Sequence, residues 1–230
     1  MNAATRLVSS LGLAVWRPVL RRRLGRLVIE EIDGVPLLVL PEVFNPSVYR
    51  TGALLARAVD AWMPPEQTRP EEVRVLDLGT GTGVGAVFAA RRGFQAVAVD
   101  VNPQAVRCAR INALLHHQED RIEARQGDLF SPTGGERFDL VLFNPPFFRG
   151  EPANALDRAW RSTDVLERFA AGLATALKPA GEALVVLSTD GDGAALLRGL
   201  GERGLGAEPA MRRDFGNEVV SAYRIRASQP

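Results

Sequence analysis

The 230-residue chain is long enough for one sizeable α/β core with room for an extension, and too short for a second full core. Hydrophobic residues make up 46% and charged ones 24%, which excludes disorder, a collagen-like repeat and a membrane bundle. The formal net charge is +1 but unevenly spread: residues 1–26 carry six arginines and no acid, leaving 22 basic against 27 acidic side chains beyond them.

From the N-terminus, Leu7–Val15 is apolar but too short to span a bilayer, and most of the arginines follow it, unlike a secretory leader. No membrane partner is predicted. Ala14–Leu24 reads as an amphipathic helix, a packing element before a partner-binding or membrane-surface one, and the basic N-terminus could meet an acidic partner. Leu27–Ile32 and Val35–Leu40 flank Asp33-Gly34, which predicts a β-hairpin. Residues 1–45 are therefore an expected extension and 46–230 the main domain. Asn45-Pro46-Ser47 is a turn and helix start, and Tyr49–Trp62 an amphipathic helix stopped by Pro64 and Pro65.

From Val73 short apolar runs alternate with helical stretches, the pattern of βαβ units around a parallel sheet. Strands are predicted over Val73–Leu78, Gln95–Val99, Ile122–Gln126, Phe138–Phe143 and Ala183–Ser188, with a closing strand over Val219–Ile225. Helices are predicted over Val84–Arg91, Pro103–Leu115, Ser162–Leu177 and Gly193–Gly201. The one cysteine, Cys108, falls inside a helix, where it packs as a small hydrophobe; with no intramolecular disulfide open to it, a reducing cytoplasm fits best. His116 and His117 lie at a helix end with no ligand-spaced partner, so no metal is expected.

Between the first two strands of the parallel sheet runs Asp77-Leu-Gly79-Thr80-Gly81-Thr-Gly83-Val-Gly85. A glycine-rich turn between a buried strand and a helix lets backbone approach a ligand closely, at the sheet edge where cofactors bind. Asp100, followed by Val101, ends the next strand, where a carboxylate accepts hydrogen bonds from both ribose hydroxyls. A dinucleotide fold would share both features. Val84, however, stands where Gly-x-Gly-x-x-Gly needs its third glycine, and Asp77 would repel a pyrophosphate while suiting an ammonium. S-adenosylmethionine is thus favoured over a nicotinamide cofactor. Asp128 and Leu129 after the third strand offer an acceptor for the adenine amino group and an apolar neighbour.

With Asp77–Gly83, Asp100, Asp128 and Asn144–Phe147 at successive strand ends, the chain from residue 73 onward resembles class I methyltransferases. The resemblance implies a Rossmann-like, doubly wound sheet of seven strands, mainly parallel with the last antiparallel.

Phe138–Phe147 closes the fourth strand with Asn144-Pro145-Pro146-Phe147. Successive prolines remove two donors and stiffen the loop into a set of acceptors. The Asn144 side-chain oxygen and the Pro145 carbonyl are expected to accept the two hydrogens of a substrate NH2, aiming its nitrogen at the methyl group, while Phe147 stacks on its plane. Asn144 also borders the cofactor.

This loop resembles that of enzymes acting on glutamine amides, adenine N6 or guanine N2. Val43-Phe-Asn-Pro46 followed by Thr51 further resembles the HemK-like release-factor glutamine methyltransferases, with Phe147 in place of their usual tyrosine and Phe148 behind it. The resemblance implies a protein glutamine as acceptor, with a nucleic-acid base amino group as the alternative, and Thr51, Phe147 and Phe148 near the substrate. A small-molecule acceptor, a nicotinamide-dependent oxidoreductase and a non-catalytic cofactor-binding subunit are the other readings. Arg149 and Glu151 stand either at substrate or in solvent, and Trp160 in a lid or in packing.

Overall fold

A computed structural model of the chain describes residues 26–48, 50–153 and 157–228, so the helix expected over Ala14–Leu24 lies outside the described residues. The hairpin forms as β1 (Val28–Ile32) and β2 (Val35–Val39), with Ile32 opposite Val35. Its turn needs two residues at positive φ, and Asp33 (48°) and Gly34 (79°) supply them. Ile32, Val35 and Leu37 point inward and join the same apolar cluster as the main sheet.

Helix α1 (Arg50–Ala61) follows, buried along Leu54, Leu55, Ala58 and Val59. The alternating region then builds β3 (Arg74–Leu78), α2 (Val84–Arg91), β4 (Gln95–Asp100), α3 (Pro103–Leu115), β5 (Ile122–Gln126) and β6 (Phe138–Phe143). A short pair, β7 (Phe148–Arg149) and β8 (Arg161–Ser162), precedes α4 (Val165–Ala176), β9 (Leu177–Ser188), α5 (Gly193–Gly201), β10 (Leu205–Asp214) and β11 (Val219–Ala227).

Seven strands form one sheet in the order β10-β11-β9-β6-β3-β4-β5. The pairs from β9 across to β5 are parallel, and β11 is inserted antiparallel between β9 and β10, as the sequence resemblance implied. Period-two alternation splits the core into two layers. Val75, Leu140 and Leu142 face α1, α2 and α3, whereas Leu76, Leu78 and Val141 face α4 and α5. Strand order reverses at β3 and β6, and a crevice at the carboxyl ends of two such strands is where α/β sheets bind ligands.

Several elements depart from expectation: the β7–β8 pair was not anticipated, and the helix expected over Ser162–Leu177 yields Ser162 to β8 and Leu177 to β9. The fifth parallel strand begins at Leu177, six residues early, because Leu177 pairs with Phe138 before a register shift carries residues 178–181 out of the ladder. Strand β10 was not anticipated, since Leu205–Asp214 is mostly exposed, pairs on one side, and carries Pro209 at a register shift. An edge strand with a proline and no alternation leaves little sequence signal.

Candidate active site

The turn after β3 passes through Gly79, Gly81 and Gly83, all at positive φ (62°, 57° and 83°), and delivers the chain into α2. Beneath it Asp77 is buried. Its Oδ2 accepts the Thr80 hydroxyl at 2.6 Å and the Ala86 N–H at 3.0 Å, so the carboxylate braces both the turn and the first turn of α2. A Cβ on Gly85 would lie 2.9 Å from both Asp77 oxygens, which is why glycine stands there. Burial pushes the Asp77 carboxyl up to about 6, against the lowering effect of the Thr80 and Ala86 hydrogen bonds.

Asp100 closes the other side of the turn. Its Oδ2 accepts the Gly81 N–H and its Oδ1 the Asn102 N–H, each at 2.9 Å. Burial raises this carboxyl as well, opposed by those backbone donors. A carboxylate has about four acceptor sites, so both oxygens retain capacity for further donors.

Strand β6 ends opposite, at Asn144. Its Nδ2 donates to Thr51 Oγ1 at 3.1 Å, a contact across 93 residues, while its Oδ1 is buried with no hydrogen-bond partner among the described residues. Such an orphan acceptor costs about 1–3 kcal/mol and is rare in folded proteins.

A strap formed by residues 148–153 and 157–162 borders the same space. Phe148 N–H donates to the Trp160 carbonyl (2.8 Å), Gly150 N–H to that of Ser162 (3.2 Å), and the Trp160 ring sits 5.6 Å from Phe44. Arg149 fastens the strap, pairing with Asp192 at 2.6 Å and Glu167 at 2.5 Å, so it is a structural clasp and not a free substrate contact.

These pieces enclose a cavity of about 290 Å³. Of the residues singled out in sequence, Asp77, Gly79, Thr80, Gly81, Asp100, Val101, Asp128, Leu129 and Asn144–Phe147 line it. Gly83 does not; it packs against α3, where a Cβ would meet Ala109 at 3.0 Å. Nor does Phe148, which is exposed on β7. Thr51, expected at the substrate, is 2% exposed and sits behind Asn144. Asp128 lines the cavity but is paired with Arg168 at 2.6 Å.

Sequence reasoning missed Glu42, Phe44, Gly52, Asn102 and the stretch 161–165 as further parts of the wall. Gly52 carried the one local clue: glycine inside a helix, where a Cβ would come within 2.4 Å of Pro46 Cβ. His116 is half-buried with Nε2 2.7 Å from the Pro36 carbonyl, and no metal-binding cluster occurs among the described residues. No described helix is long and apolar enough to cross a membrane.

Residues 43–221 match the family model described as the methyltransferase small domain. A Methanocaldococcus jannaschii protein named for protein N5-glutamine methyltransferase activity is 32% identical over 171 residues, 70% of this chain and 80% of that one. Ribosomal RNA small subunit methyltransferase C of Alcanivorax borkumensis is 41% identical over 108 residues, 47% of this chain and 30% of that protein. The fold resembles that of the T. thermophilus 16S rRNA N2 G1207 methyltransferase solved with AdoMet and guanosine, at a TM-score of 0.62 and 24% identity over 89% of this chain and 50% of that one. The chain thus spans most of the archaeal relative and half or less of the two ribosomal RNA enzymes.

Proposed function

The chain belongs to the methyltransferase small domain family and is an S-adenosylmethionine-dependent methyltransferase; from that premise we propose that it methylates a planar NH2 nitrogen, with a protein glutamine side chain as acceptor. One observation carries this reading: Asn144 lines the cavity, and its buried Oδ1, with no hydrogen-bond partner among the described residues, is an acceptor in need of a donor.

The cavity fits the cofactor. Its turn presents backbone without Cβ atoms at Gly79 and Gly81, and the carboxylates of Asp77 and Asp100 keep acceptor capacity. Asp100 would take the ribose hydroxyls, Asp77 the ammonium of the amino-acid end, and Leu129 the adenine face. When bound, S-adenosylmethionine supplies a methyl group on a cationic sulfur leaving group. Asn144 Oδ1 and the Pro145 carbonyl would accept the two N–H bonds of the acceptor and point its nitrogen into the cavity, and Phe147 would hold its plane. An amide nitrogen is a poor nucleophile because its lone pair is delocalised. As positive charge develops on it, its N–H bonds become stronger donors, so both acceptors bind the transition state more tightly than the ground state.

Charge supports a protein acceptor over a nucleic acid. The cavity is lined by six carboxylates (Glu42, Asp77, Asp100, Asp128, Glu151 and Asp164) and two arginines, of which Arg168 is paired with Asp128 and Asp164 and Arg161 with Asp157. Four of these acids, Glu42, Asp128, Glu151 and Asp164, are exposed, and a rim of that sign repels a phosphate backbone. The second reading, an exocyclic amino group of an RNA base, is supported by the 41% identity to the Alcanivorax enzyme. We place the enzyme in the cytoplasm, where the buried free thiol of Cys108 stays reduced.

The test is transfer from tritiated S-adenosylmethionine into a cell extract, followed by protease or RNase digestion. Protease-sensitive, RNase-resistant label is expected. The converse pattern replaces the glutamine acceptor with a nucleobase.

A further inference from the structure

Asn144 is the last link of a chain of contacts that begins outside the nucleotide-binding sheet. Asn45 is buried; its Nδ2 donates to Glu30 Oε1 of the hairpin at 2.9 Å, while its Oδ1 accepts the N–H groups of Ser47 and Val48 at 3.0 and 3.1 Å. That fixes the turn entering α1. Pro46 then packs directly on Gly52, so closely that a Cβ would come within 2.4 Å, which sets where α1 begins. The preceding residue is Thr51, 2% exposed, with its hydroxyl oxygen 3.1 Å from Asn144 Nδ2.

A primary amide has two ends of opposite character, a double donor and a double acceptor. Only the acceptor end can receive a substrate NH2; the donor end would set N–H against N–H. We propose that Thr51 is a positioning residue for methyl transfer: by accepting from Nδ2, its hydroxyl turns the Asn144 amide so that Oδ1 is the atom left for the acceptor nitrogen. The inference rests on the proposed role of Asn144 and adds what holds that residue in its productive sense. Thr51 itself touches neither cofactor nor acceptor and lies outside the cavity lining.

The hydroxyl does this work; the shape of the side chain does not. Thr51→Val keeps the volume and β-branching and removes the acceptor, leaving Nδ2 unpaired and free to turn. Thr51→Ser keeps the hydroxyl. With tritiated S-adenosylmethionine and an extract from cells lacking this enzyme, Thr51→Val is expected to lower the maximal rate about ten- to a hundredfold, as misplacement by about 1 Å does. The KM for the cofactor and the calorimetric Kd for S-adenosylhomocysteine should stay within about twofold, since no cradle residue has moved. Thr51→Ser should recover most of the rate. In an Asn144→Ala background, adding Thr51→Val should cost nothing further.

A Thr51→Val enzyme at wild-type rate, or a Thr51→Ser enzyme as slow as Thr51→Val, overturns the proposal. If Asn144→Ala alone retains full activity, the functional reading fails first. A structure of Thr51→Val with S-adenosylhomocysteine provides a readout independent of turnover. The Asn144 amide should leave its present orientation; finding it unmoved without the hydroxyl also overturns the proposal.

Discussion

The two walls of the cavity are built in opposite ways. On one side Asp77 and Asp100 each accept two hydrogen bonds from the segment 77–102, so the glycine turn is closed by its own neighbours. On the other, the Asn144 oxygen has no partner among the described residues and its nitrogen is held from 93 residues away. A wall that cradles a ligand by shape and backbone can satisfy itself locally. A wall that must recognise an NH2 keeps an acceptor unmatched, so its orientation has to come from elsewhere in the fold.

The contrast breaks most visibly at Asn144. An Asn144→Ala enzyme should lose about 10²- to 10³-fold in kcat, the range seen when a preorganised polar group is removed. Its urea midpoint should stay level or rise, because the deleted oxygen has no hydrogen-bond partner among the described residues. A marked fall in stability would mean that Asn144 belongs to the self-satisfied kind of wall.

Asp100→Ala attacks the other wall and should show the reverse signature. Two N–H anchors of the turn go unpaired, so the calorimetric Kd for S-adenosylhomocysteine is expected to rise tenfold or more, about 1.4 kcal/mol. An unchanged Kd would move the ribose site elsewhere.

Smaller, but diagnostic, is the pH response of the unliganded protein. The folded pKa of Asp77, about 6, lies above its ordinary 3.8, so the folded chain holds that proton more tightly than the unfolded one. The resulting stability is complete below about pH 4 and is lost as pH rises through about 6. Asp100 is raised in the same direction and remains in both proteins, so the difference between wild type and Asp77→Asn isolates Asp77. In urea titrations, wild type should lose stability relative to Asp77→Asn across that window; parallel curves would remove the buried-carboxylate account.

The smallest effect is expected at Arg168→Ala. Its pairs with Asp128 (2.6 Å) and Asp164 (3.1 Å) are exposed, so unfolding should change by less than about 1 kcal/mol. Freed of its partner, Asp128 becomes available to the cofactor, and S-adenosylhomocysteine affinity should not fall. A clear loss would show that Arg168 itself contributes to the site.

The sequence by itself determined the elements and most of one wall. Short apolar runs and helical patterns located β3 to β6 and α2 and α3 almost to the residue, because the central strands β3, β4 and β6, buried on both faces, read as nearly continuous apolar runs. The glycine turn, the acids at strand ends and Asn144-Pro145-Pro146-Phe147 were legible because each is contiguous and chemically unusual. What only the tertiary structure decided is where distant segments meet. Gly83 serves α3 packing, Phe148 is turned out to solvent on the strap, and Thr51 stands behind Asn144 instead of beside the substrate. Each of these is fixed by packing between elements far apart in the chain. Local pattern records which face of an element is apolar; it does not record which residue of another element will lie 3 Å away.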